Sequence, residues 1–300
     1  MTYQELISKG ADALASSGVL NAKVDAWELF SYCSSIEKKD YLIILRDEVE
    51  DKALIEKYKS LIDLRKTRKP LQQILGFTEF MGLTFEVNQN VLCPRQDTEL
   101  LVEQAISRME KIRKIRDIDA NLFGDDFSRE KWEILDLCTG SGCVLVSLMK
   151  YLPYLSGTGV DISAEALEVA RANAKRNMVH PNFLKGDLFE PVFGRKFHLI
   201  TANPPYIPTD VIDKLMPEVR DFEPKNALDG HEDGLYYYKC IVAGAASYLF
   251  DGGWLVVEIG VDQKIPVETI FFENGFSDIR CHKDYAGNDR VVAAQMKQGE

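Results

Sequence analysis

The chain has 300 residues, 46% of them hydrophobic and 28% charged, with a formal net charge of −11, which is the balance of a globular protein of about two domains. Because proteins that bind nucleic acid usually carry a basic face, this acidity counts against DNA as a partner and leaves any RNA contact indirect. The longest apolar stretches, such as residues 241–250, are too short to cross a membrane, and the first residues show no secretory signal, so we expect a cytoplasmic protein.

Residues 1–72 are predicted to form a small helical domain. Thr2 and Glu5 have the spacing of a capping box, which marks the start of its first helix. Such a domain, placed before a larger one, is a candidate for docking a macromolecular substrate. Apolar residues recur at helical spacing and predict its core: Leu6, Ile7, Ala11, Leu14, Ala26, Leu29, Phe30, Cys33, Leu54, Tyr58, Leu61, Ile62 and Leu64.

The end of this helical domain carries a cluster of basic residues. Contact with RNA or with an acidic partner is one interpretation of the cluster. We favour the other, a solvated helix end, because positive charge is stabilising near the carboxyl terminus of a helix. The cluster consists of Lys57, Lys59, Arg65, Lys66, Arg68 and Lys69.

Residues 73–97 are predicted to form a β-hairpin linker. Between residues 76 and 92, apolar and polar residues alternate around Gly82 and a turn at residues 88–90. This alternation is typical of two short strands joined by a turn.

Residues 98–300 are expected to form a doubly wound α/β domain. A helix is predicted from Thr98, and the polar residues 110–131 are interpreted as an irregular, exposed insertion. From Trp132 onward, predicted strands and helices alternate, and residues 253–259 show the continuous apolar pattern of a buried strand.

The first strand pattern of this domain, residues 133–138, runs into the glycine turn Thr139-Gly140-Ser141-Gly142, and an apolar helix follows. Glycines at such a turn allow positive φ and a close approach of ligand to backbone, while the helix start supplies unpaired N–H groups. Asp161 ends the next predicted strand, 21 residues after Gly140. A carboxylate there can accept hydrogen bonds from ribose hydroxyls. Asp161 also has the position of a helix cap, and the two roles are compatible.

A third predicted strand, residues 182–187, ends in Asp187. This would bring a second carboxylate to the same edge of the sheet, where it can receive the exocyclic amine of an adenine. Leu188 and Phe189 are candidate apolar walls beside it. The alternative for Asp187 is an ordinary turn aspartate.

The tetrapeptide Asn203-Pro204-Pro205-Tyr206 follows the apolar run at residues 197–202. Proline lacks the N–H and fixes φ, so the strand must end there, with Asn203 at its carboxyl end. Asn203 offers one acceptor and two donors, the prolines stiffen the loop and present carbonyls, and Tyr206 adds a flat ring. Together they can clamp a planar nitrogen substrate, although a plain strand-ending turn is the alternative.

The six cysteines and four histidines show no metal-ligand spacing. Cys138 and Cys143 are five residues apart, and no further Cys or His accompanies them. We interpret the cysteines as reduced and mostly buried, and we expect no metal.

Four of these blocks resemble the class I S-adenosylmethionine-dependent amino-methyltransferases: residues 135–142, Val160-Asp161, Gly186-Asp187 and Asn203-Pro204-Pro205-Tyr206. That superfamily includes adenine and cytosine amino-methylases, so the motifs indicate a chemistry before a substrate. Further blocks narrow the resemblance to the peptide chain release factor glutamine methyltransferases, and it covers essentially the whole chain. These blocks are residues 70–76, 80–83, 91–99, 227–230 with 233–235, and 258–260 with Gln263.

The resemblance implies a class I methyltransferase fold, preceded by a helical bundle and a β-hairpin linker. Its sheet is mostly parallel, with an antiparallel edge where residues 276–282 pair with the last strand, 290–295. It also implies S-adenosylmethionine as the cofactor and release factors as the protein substrate. The implied cofactor contacts are Cys138, Thr139, Gly140, Ser141, Gly142, Asp161, Asp187, Leu188 and Asn203, and the implied catalytic residues are Asn203, Pro204, Pro205 and Tyr206.

Two positions depart from the family pattern. Cys138 stands where the family usually has glycine, and because a thiol is small we expect cofactor binding to be retained with local adjustment. Leu188 stands where the family often has an aromatic residue. Leucine can cover an adenine face but lacks the stacking geometry of a ring.

The chemistry that the resemblance implies is methyl transfer to an amide nitrogen, whose lone pair is delocalised into the carbonyl. If the Asn203 side-chain oxygen and the Pro204 carbonyl accept the two amide hydrogens, the lone pair points at the sulfonium methyl, and Tyr206 packs against the substrate plane. The favoured substrate is the glutamine of the Gly-Gly-Gln loop of release factors. A ribosomal protein glutamine, a nucleobase amine, or a non-catalytic binding module are the alternatives.

Overall fold

The structure is a computed structural model that describes residues 1–123 and 132–297, with the backbone alone for residues 115–123. The chain forms two compact units. The helical unit contains Met1–Phe77 together with Leu215–Phe222, and the larger unit contains Thr78–Lys214 together with Glu223–Glu300. The segment Leu215–Phe222 therefore belongs to the helical unit although it lies far from it in sequence.

The helical unit begins with the predicted capping box. Thr2 Oγ1 accepts a hydrogen bond from Glu5 N at 3.2 Å, and Glu5 Oε2 accepts one from Thr2 N at 3.0 Å, which confirms that prediction. The predicted apolar stripes largely form its core, but Leu64 is 40% exposed, so its assignment to the core is wrong. The helices of this part are α1 (Tyr3–Ser16), α2 (Ala22–Ser34), α3 (Lys38–Ile44), α4 (Lys52–Lys66) and α5 (Leu71–Leu75).

The basic cluster at the end of α4 is not simply a solvated helix end. Arg65 is only 6% exposed, and its Nε donates to Asp25 Oδ2 at 2.7 Å. A second nitrogen of Arg65 donates to Glu218 Oε1 at 3.1 Å, and Arg68 donates to both oxygens of Glu218 at 2.7 and 2.6 Å. The prediction of a solvated face is wrong for Arg65, because a carboxylate from another part of the chain lies within reach.

The predicted hairpin is present as a two-stranded sheet of β1 (Phe77–Phe80) and β2 (Leu83–Glu86). The next helix, α6, covers Gln96–Phe123 and begins two residues before the predicted start. The prediction of irregular structure from residue 110 is therefore wrong as far as Phe123. Apolar residues at helical spacing, such as Met109 and Ile112, pack against the core here and leave the polar residues outside. Residues 124–131 lie outside the described part of the chain.

The larger unit is built on a seven-stranded sheet with the order β5-β4-β3-β6-β7-β9-β8. Strands β3 to β7 are parallel, and β9 is antiparallel to both of its neighbours, which confirms the mostly parallel sheet with an antiparallel edge. The strands are β3 (Trp132–Leu137), β4 (Leu155–Asp161), β5 (Asn182–Lys185), β6 (Phe197–Ala202), β7 (Leu249–Glu258), β8 (Phe276–Lys283) and β9 (Asp289–Met296). The remaining α-helices are α7 (Cys143–Tyr151), α8 (Ala164–Arg176), α9 (Thr209–Ile212), α10 (Pro217–Arg220, in the helical unit), α11 (Tyr236–Tyr248) and α12 (Lys264–Glu273).

Both faces of the sheet are covered. Ile134 and Leu199 belong to one apolar cluster, whereas their neighbours Leu135 and Ile200 belong to the other, because successive side chains of a strand point to opposite faces. Because strands β3 to β7 are parallel, their carboxyl ends meet at one edge of the sheet, where ligands of such folds bind. Within the described residues, no helix is both long and apolar enough to span a lipid bilayer.

Candidate active site

A pocket opens at the carboxyl ends of strands β3 to β6, inside the larger unit. Most of the residues singled out from the sequence line it. Gly142, Pro204 and Tyr206 are not among its lining residues. The lining residues that the sequence predicted are Cys138, Thr139, Gly140, Ser141, Asp161, Asp187, Leu188, Asn203 and Pro205.

The glycine turn joins β3 to α7. Gly142 has φ +76°, and a Cβ added there would lie 3.1 Å from the Ala170 Cβ, so helix packing excludes a side chain. Gly140 has φ +53°, and an added Cβ would meet nothing closer than the Cys138 carbonyl at 3.9 Å. Cys138 itself adopts φ +54°, a conformation that favours glycine. The turn accommodates the thiol where the family usually has glycine, and its pocket side stays open beside Gly140.

Asp161 is held in place by two backbone groups. Its Oδ2 accepts a hydrogen bond from Gly140 N at 2.8 Å, and its Oδ1 accepts one from Ser163 N at 2.9 Å. Burial raises the pKa of the Asp161 carboxyl, and these N–H groups oppose the increase. The side chain that caps α8 belongs to Ser163, which accepts from Ala166 N, so Asp161 supports the cap without being it. Each oxygen of Asp161 keeps a second lone pair for a ligand.

Asp136 lies beneath the turn and was missed by the sequence analysis as a functional residue. It is 2% exposed, and it accepts hydrogen bonds from the hydroxyls of Thr139 at 2.6 Å and Thr201 at 2.7 Å. Burial raises the pKa of Asp136 to about 7, against the lowering effect of these two hydroxyls. The carboxyl links the turn to β6 and so fixes the floor of the pocket.

The wall at the end of β5 differs in part from expectation. Asp187 follows the last strand residue by two positions and lines the pocket together with Leu188, whose φ is +44°. Phe189 is not a wall: its ring stacks on Tyr248 at 4.5 Å between centroids, in the core behind. The prediction that Phe189 is a wall is wrong, because the left-handed backbone at Leu188 separates the directions of the Leu188 and Phe189 side chains.

Asn203 lies at the end of β6 and is half-buried. Its Nδ2 donates to the hydroxyl oxygen of Thr98 at 3.4 Å. Neither Asn203 Oδ1 nor the Pro204 carbonyl accepts a hydrogen bond from the described residues. The amide is therefore tethered through its nitrogen, and two oxygens remain available as acceptors.

Tyr206 does not line the pocket but contacts Glu258. Its hydroxyl donates to Glu258 Oε1 at 3.3 Å, and burial together with the nearby Glu258 raises the pKa of the phenol. Gln263 Nε2 donates to the Tyr206 carbonyl at 3.0 Å and to the Gly234 carbonyl at 3.2 Å. A Cβ on Gly234 would collide with the Tyr206 carbonyl oxygen, so glycine is required there. These contacts fix the loop that carries Asn203; packing of Tyr206 against a substrate stays a prediction.

A second wall of the pocket comes from the segment predicted as a linker. Residues 90–95 line the pocket, and one nitrogen of Arg95 contacts both carboxylate oxygens of Glu223 at 2.7 and 2.8 Å. Burial raises the pKa of Glu223, and Arg95 opposes the increase. Residues 91–99 form one of the blocks that resemble the family, and this was the sequence signal that the segment matters. The resemblance did not predict that the segment lines the pocket.

The lining suits S-adenosylmethionine by its chemistry. Asp161 presents a fixed carboxylate for ribose hydroxyls, and the absent side chain at Gly140 leaves room against the turn. Acidic groups such as Asp161 and Asp187 favour a positively charged ligand over an anionic one. No group of three Cys, His, Asp or Glu residues in the described ranges is arranged to hold a metal ion.

Replacing Asp161 with alanine is expected to weaken cofactor binding by about 10-fold to 100-fold, the usual worth of hydrogen bonds to a charged group. Isothermal titration with S-adenosylhomocysteine measures the change. Glu165→Ala is the matched control, because this carboxylate lies in the first turn of α8, four residues after Asp161, but does not line the pocket. An unchanged affinity in the Asp161 variant would contradict the assigned contact.

The chain is similar to a family of known proteins over nearly all of its length. Residues 5–76 match the family model described as the PrmC N-terminal domain, and residues 113–216 match the model described as the methyltransferase small domain.

Three curated relatives carry the name release factor glutamine methyltransferase. The protein of Geobacter sulfurreducens is 38% identical, over 98% of this chain and 97% of the relative. That of Clostridium botulinum is 36% identical, over 98% of this chain and 99% of the relative. That of Thermodesulfovibrio yellowstonii is 41% identical, over 80% of this chain and 81% of the relative.

Proposed function

The chain belongs to the release factor glutamine methyltransferase family, and from this premise we propose that it methylates the side-chain nitrogen N5 of the glutamine in the Gly-Gly-Gln motif of peptide chain release factors. S-adenosylmethionine is the methyl donor. The reaction takes place in the cytoplasm, with the release factor as the direct partner and with no direct contact to DNA or RNA. The observation that carries the proposal is the Asn203 amide, tethered by its nitrogen with its oxygen unpaired beside the pocket.

The residues at the end of β6 perform the orienting part of the reaction. A glutamine amide is a weak nucleophile because its nitrogen lone pair is shared with the carbonyl. The Asn203 oxygen and the Pro204 carbonyl accept its two hydrogens, which fixes the plane of the amide and favours positive charge on nitrogen as the bond forms. Gln263 and Gly234 keep the loop from moving away during this step.

The cofactor is held by the other side of the same pocket. The turn at Gly140 and the Asp161 carboxylate hold the ribose end, and Asp187 with Leu188 holds the adenine. When bound, S-adenosylmethionine supplies an electrophilic methyl group on a positively charged sulfur. The pocket residues bind and orient, and the excess proton of the methylated amide leaves to solvent.

The proposal is tested with methyl-labelled S-adenosylmethionine and four separate acceptors: a release factor, the same factor with its loop glutamine changed to alanine, a ribosomal protein mixture, and bulk RNA with DNA. Mass spectrometry locates the label. We expect label on the loop glutamine alone. Label on a nucleobase or on a ribosomal protein instead would keep the chemistry and overturn the substrate.

We also propose that residues 1–72 dock the release factor. Exposed apolar side chains on this unit support the proposal, since neighbouring exposed apolar groups on a protein surface mark interaction sites. On α3, Leu42 is 62% exposed and Ile43 is 80% exposed, and near α2, Leu20 is 79% exposed. None of these side chains is needed for the core of the unit.

Replacing Leu42 and Ile43 with aspartate is expected to raise the KM for the whole release factor by about 10-fold, because buried apolar contacts dominate protein interfaces. The kcat/KM for a short Gly-Gly-Gln peptide should not change. Ile265→Asp is the matched control, since Ile265 is 75% exposed on α12 of the larger unit. Equal loss with peptide and protein would contradict a docking role.

A further inference from the structure

Glu258 is a buried carboxyl directly beside the proposed substrate site. Ala202 of β6 pairs with Val257 of β7. The next residues, Asn203 and Glu258, therefore lie side by side at the carboxyl ends of these parallel strands. Glu258 is 2% exposed. Its Oε1 accepts the Tyr206 hydroxyl at 3.3 Å, whereas Oε2 is buried and has no hydrogen-bond partner within the described residues. A buried, half-satisfied carboxyl is costly to the fold and calls for an explanation.

Thr98 connects this carboxyl to the Asn203 amide. The Thr98 side chain is on α6, is 3% exposed, and accepts Asn203 Nδ2 at 3.4 Å. The Thr98 side chain also lowers the pKa of the Glu258 carboxyl, so it lies close enough to favour the charged form, but Oε2 of that carboxyl accepts no hydrogen bond from the described residues in this geometry. A hydroxyl carries one hydrogen, so Thr98 can accept cleanly from Asn203 when that hydrogen is directed at Glu258.

We propose that Glu258 is a positioning residue: in its ionised form the otherwise unpaired Oε2 attracts the Thr98 hydroxyl hydrogen, and Thr98 then holds the Asn203 amide by its nitrogen, with the oxygen left for the substrate glutamine. This inference rests on the proposed function. A protonated Glu258 donates to the Thr98 oxygen instead. The Thr98 hydrogen is then free to be donated to the Asn203 oxygen, and the amide is held in the wrong orientation.

The charged and titratable groups around Glu258 set the pH at which this change occurs. Burial raises the pKa of Glu258 to about 7, against the lowering effects of Thr98, Arg290 and Tyr206. The carboxyl is therefore ionised above that pH and protonated below it, so turnover should rise with pH through about 7. The groups that face it are Tyr206, Arg290 of β9 with its partner Asp284, Asp97 of α6, Tyr238 of α11 and Cys143 of α7.

The first test observes the Asn203 amide without any substrate. Protein labelled with ¹⁵N-asparagine is titrated from about pH 5.5 to 8.5, a window centred on the raised carboxyl. The Asn203 side-chain signal is assigned by its disappearance in Asn203→Ala. We expect this signal to shift with a midpoint near the Glu258 pKa in the wild type, and to stay fixed in Glu258→Gln and in Thr98→Val. A wild-type signal that does not titrate, or that titrates equally in both variants, overturns the proposal.

The second test is the pH profile of kcat with the release factor. The wild type should lose about 10-fold or more of its kcat between pH 8 and pH 6, since one protonation disables the site. Glu258→Gln offers an acceptor that cannot titrate, so its profile should be flat. Thr98→Val should lower kcat about 10-fold at every pH, and Thr98→Ser should restore most of the loss.

Folding of the variants is checked separately. The pKa of Glu258 is raised in the folded chain, so the folded state loses stability as pH rises from the ordinary carboxyl range to about 7, and the loss is complete above it. Glu258→Gln removes that buried charge and should be at least as stable as the wild type at pH 8. If the wild type fails to methylate the release factor while the Asn203 signal still follows Glu258, the proposed function is wrong and the positioning role stands. If methylation is confirmed and the kcat profile of Thr98→Val keeps the wild-type shape, the positioning role is wrong.

Discussion

Replacing Asn203 with alanine is expected to lower kcat by about 10²-fold to 10³-fold, the usual cost of removing one preorganised group that stabilises developing charge. Cofactor affinity should fall by no more than about 10-fold, because a single hydrogen bond is at stake there. The asymmetry follows from the position of the side chain. Asn203 lines the cofactor pocket, but its oxygen and the carbonyl of the next residue, Pro204, accept no hydrogen bond from the described residues, which leaves both for the proposed glutamine.

Single-turnover methylation of the release factor, together with calorimetric titration of S-adenosylhomocysteine, separates the two effects. Asn182→Ala is the matched control, since Asn182 is an exposed asparagine at the start of β5 that does not line the pocket. It should leave kcat within about twofold of the wild type, as is usual for surface substitutions. Equal losses of turnover and cofactor affinity in Asn203→Ala would contradict its role toward the substrate.

Local sequence signals located one side of the site well. Gly140, Asp161 and Asn203 each follow an apolar strand pattern, and the carboxyl ends of parallel strands meet at one sheet edge, so chain order alone brings them together. The pocket in the structure is lined by all three. The alternation of strand and helix patterns from Trp132 onward predicted the doubly wound domain, whereas the mostly parallel sheet with its antiparallel edge was implied by the family resemblance.

Local sequence signals could not predict contacts between residues that are far apart in the chain. Thr98 and Asn203 are 105 residues apart, and Arg95 and Glu223 are 128 residues apart. No periodicity joins residues so widely separated, and each looks like an ordinary loop or helix residue by itself. The position of Glu258 was a usable signal, because it ends a buried strand in the same way as Asp161. The sequence does not show which side chain that carboxylate contacts.

Arg65 shows the same limit in the helical unit. Its neighbours in sequence are basic and polar, which is typical of a solvated helix end. The structure buries it because Asp25 of α2 and Glu218 of the segment Leu215–Phe222 both offer carboxylates. A charge pattern along one helix cannot report an acidic partner that arrives from 153 residues away.

Replacing Arg65 with methionine is expected to destabilise the helical unit by about 3–5 kcal/mol, the usual cost of removing one partner from a buried ion pair. Methionine keeps an apolar stem of similar length, so the loss comes from the charges left behind. Asp25 is 6% exposed and would have no cationic partner, while Glu218 would keep Arg68. Hydrogen exchange of the α2 and α4 amides, compared with the wild type, measures the change in free energy of opening.

Two further variants identify the cause. Glu56→Ala removes an exposed pair with Lys59 on α4 and should cost less than about 1 kcal/mol. Arg65→Met combined with Asp25→Leu removes the orphaned charge and should recover most of the loss, since well-packed apolar groups can replace a buried pair. A double variant no more stable than Arg65→Met would mean that the guanidinium contributes through its hydrogen bond to the Lys69 carbonyl and not through charge.

Glu218, the second carboxylate that pairs with Arg65, makes the stability of the helical unit depend on pH. Burial raises the pKa of Glu218, but the hydrogen bonds from Arg68 and Arg65 outweigh burial and bring the pKa below its ordinary value. A carboxyl with a lowered pKa in the folded state stabilises the fold above its unfolded pKa, and this contribution disappears as pH falls through the folded value. In Arg65→Met one of the two cations is missing, so acid should unfold the helical unit at a higher pH than in the wild type. Identical acid midpoints would show that Arg68 alone holds the charge of Glu218.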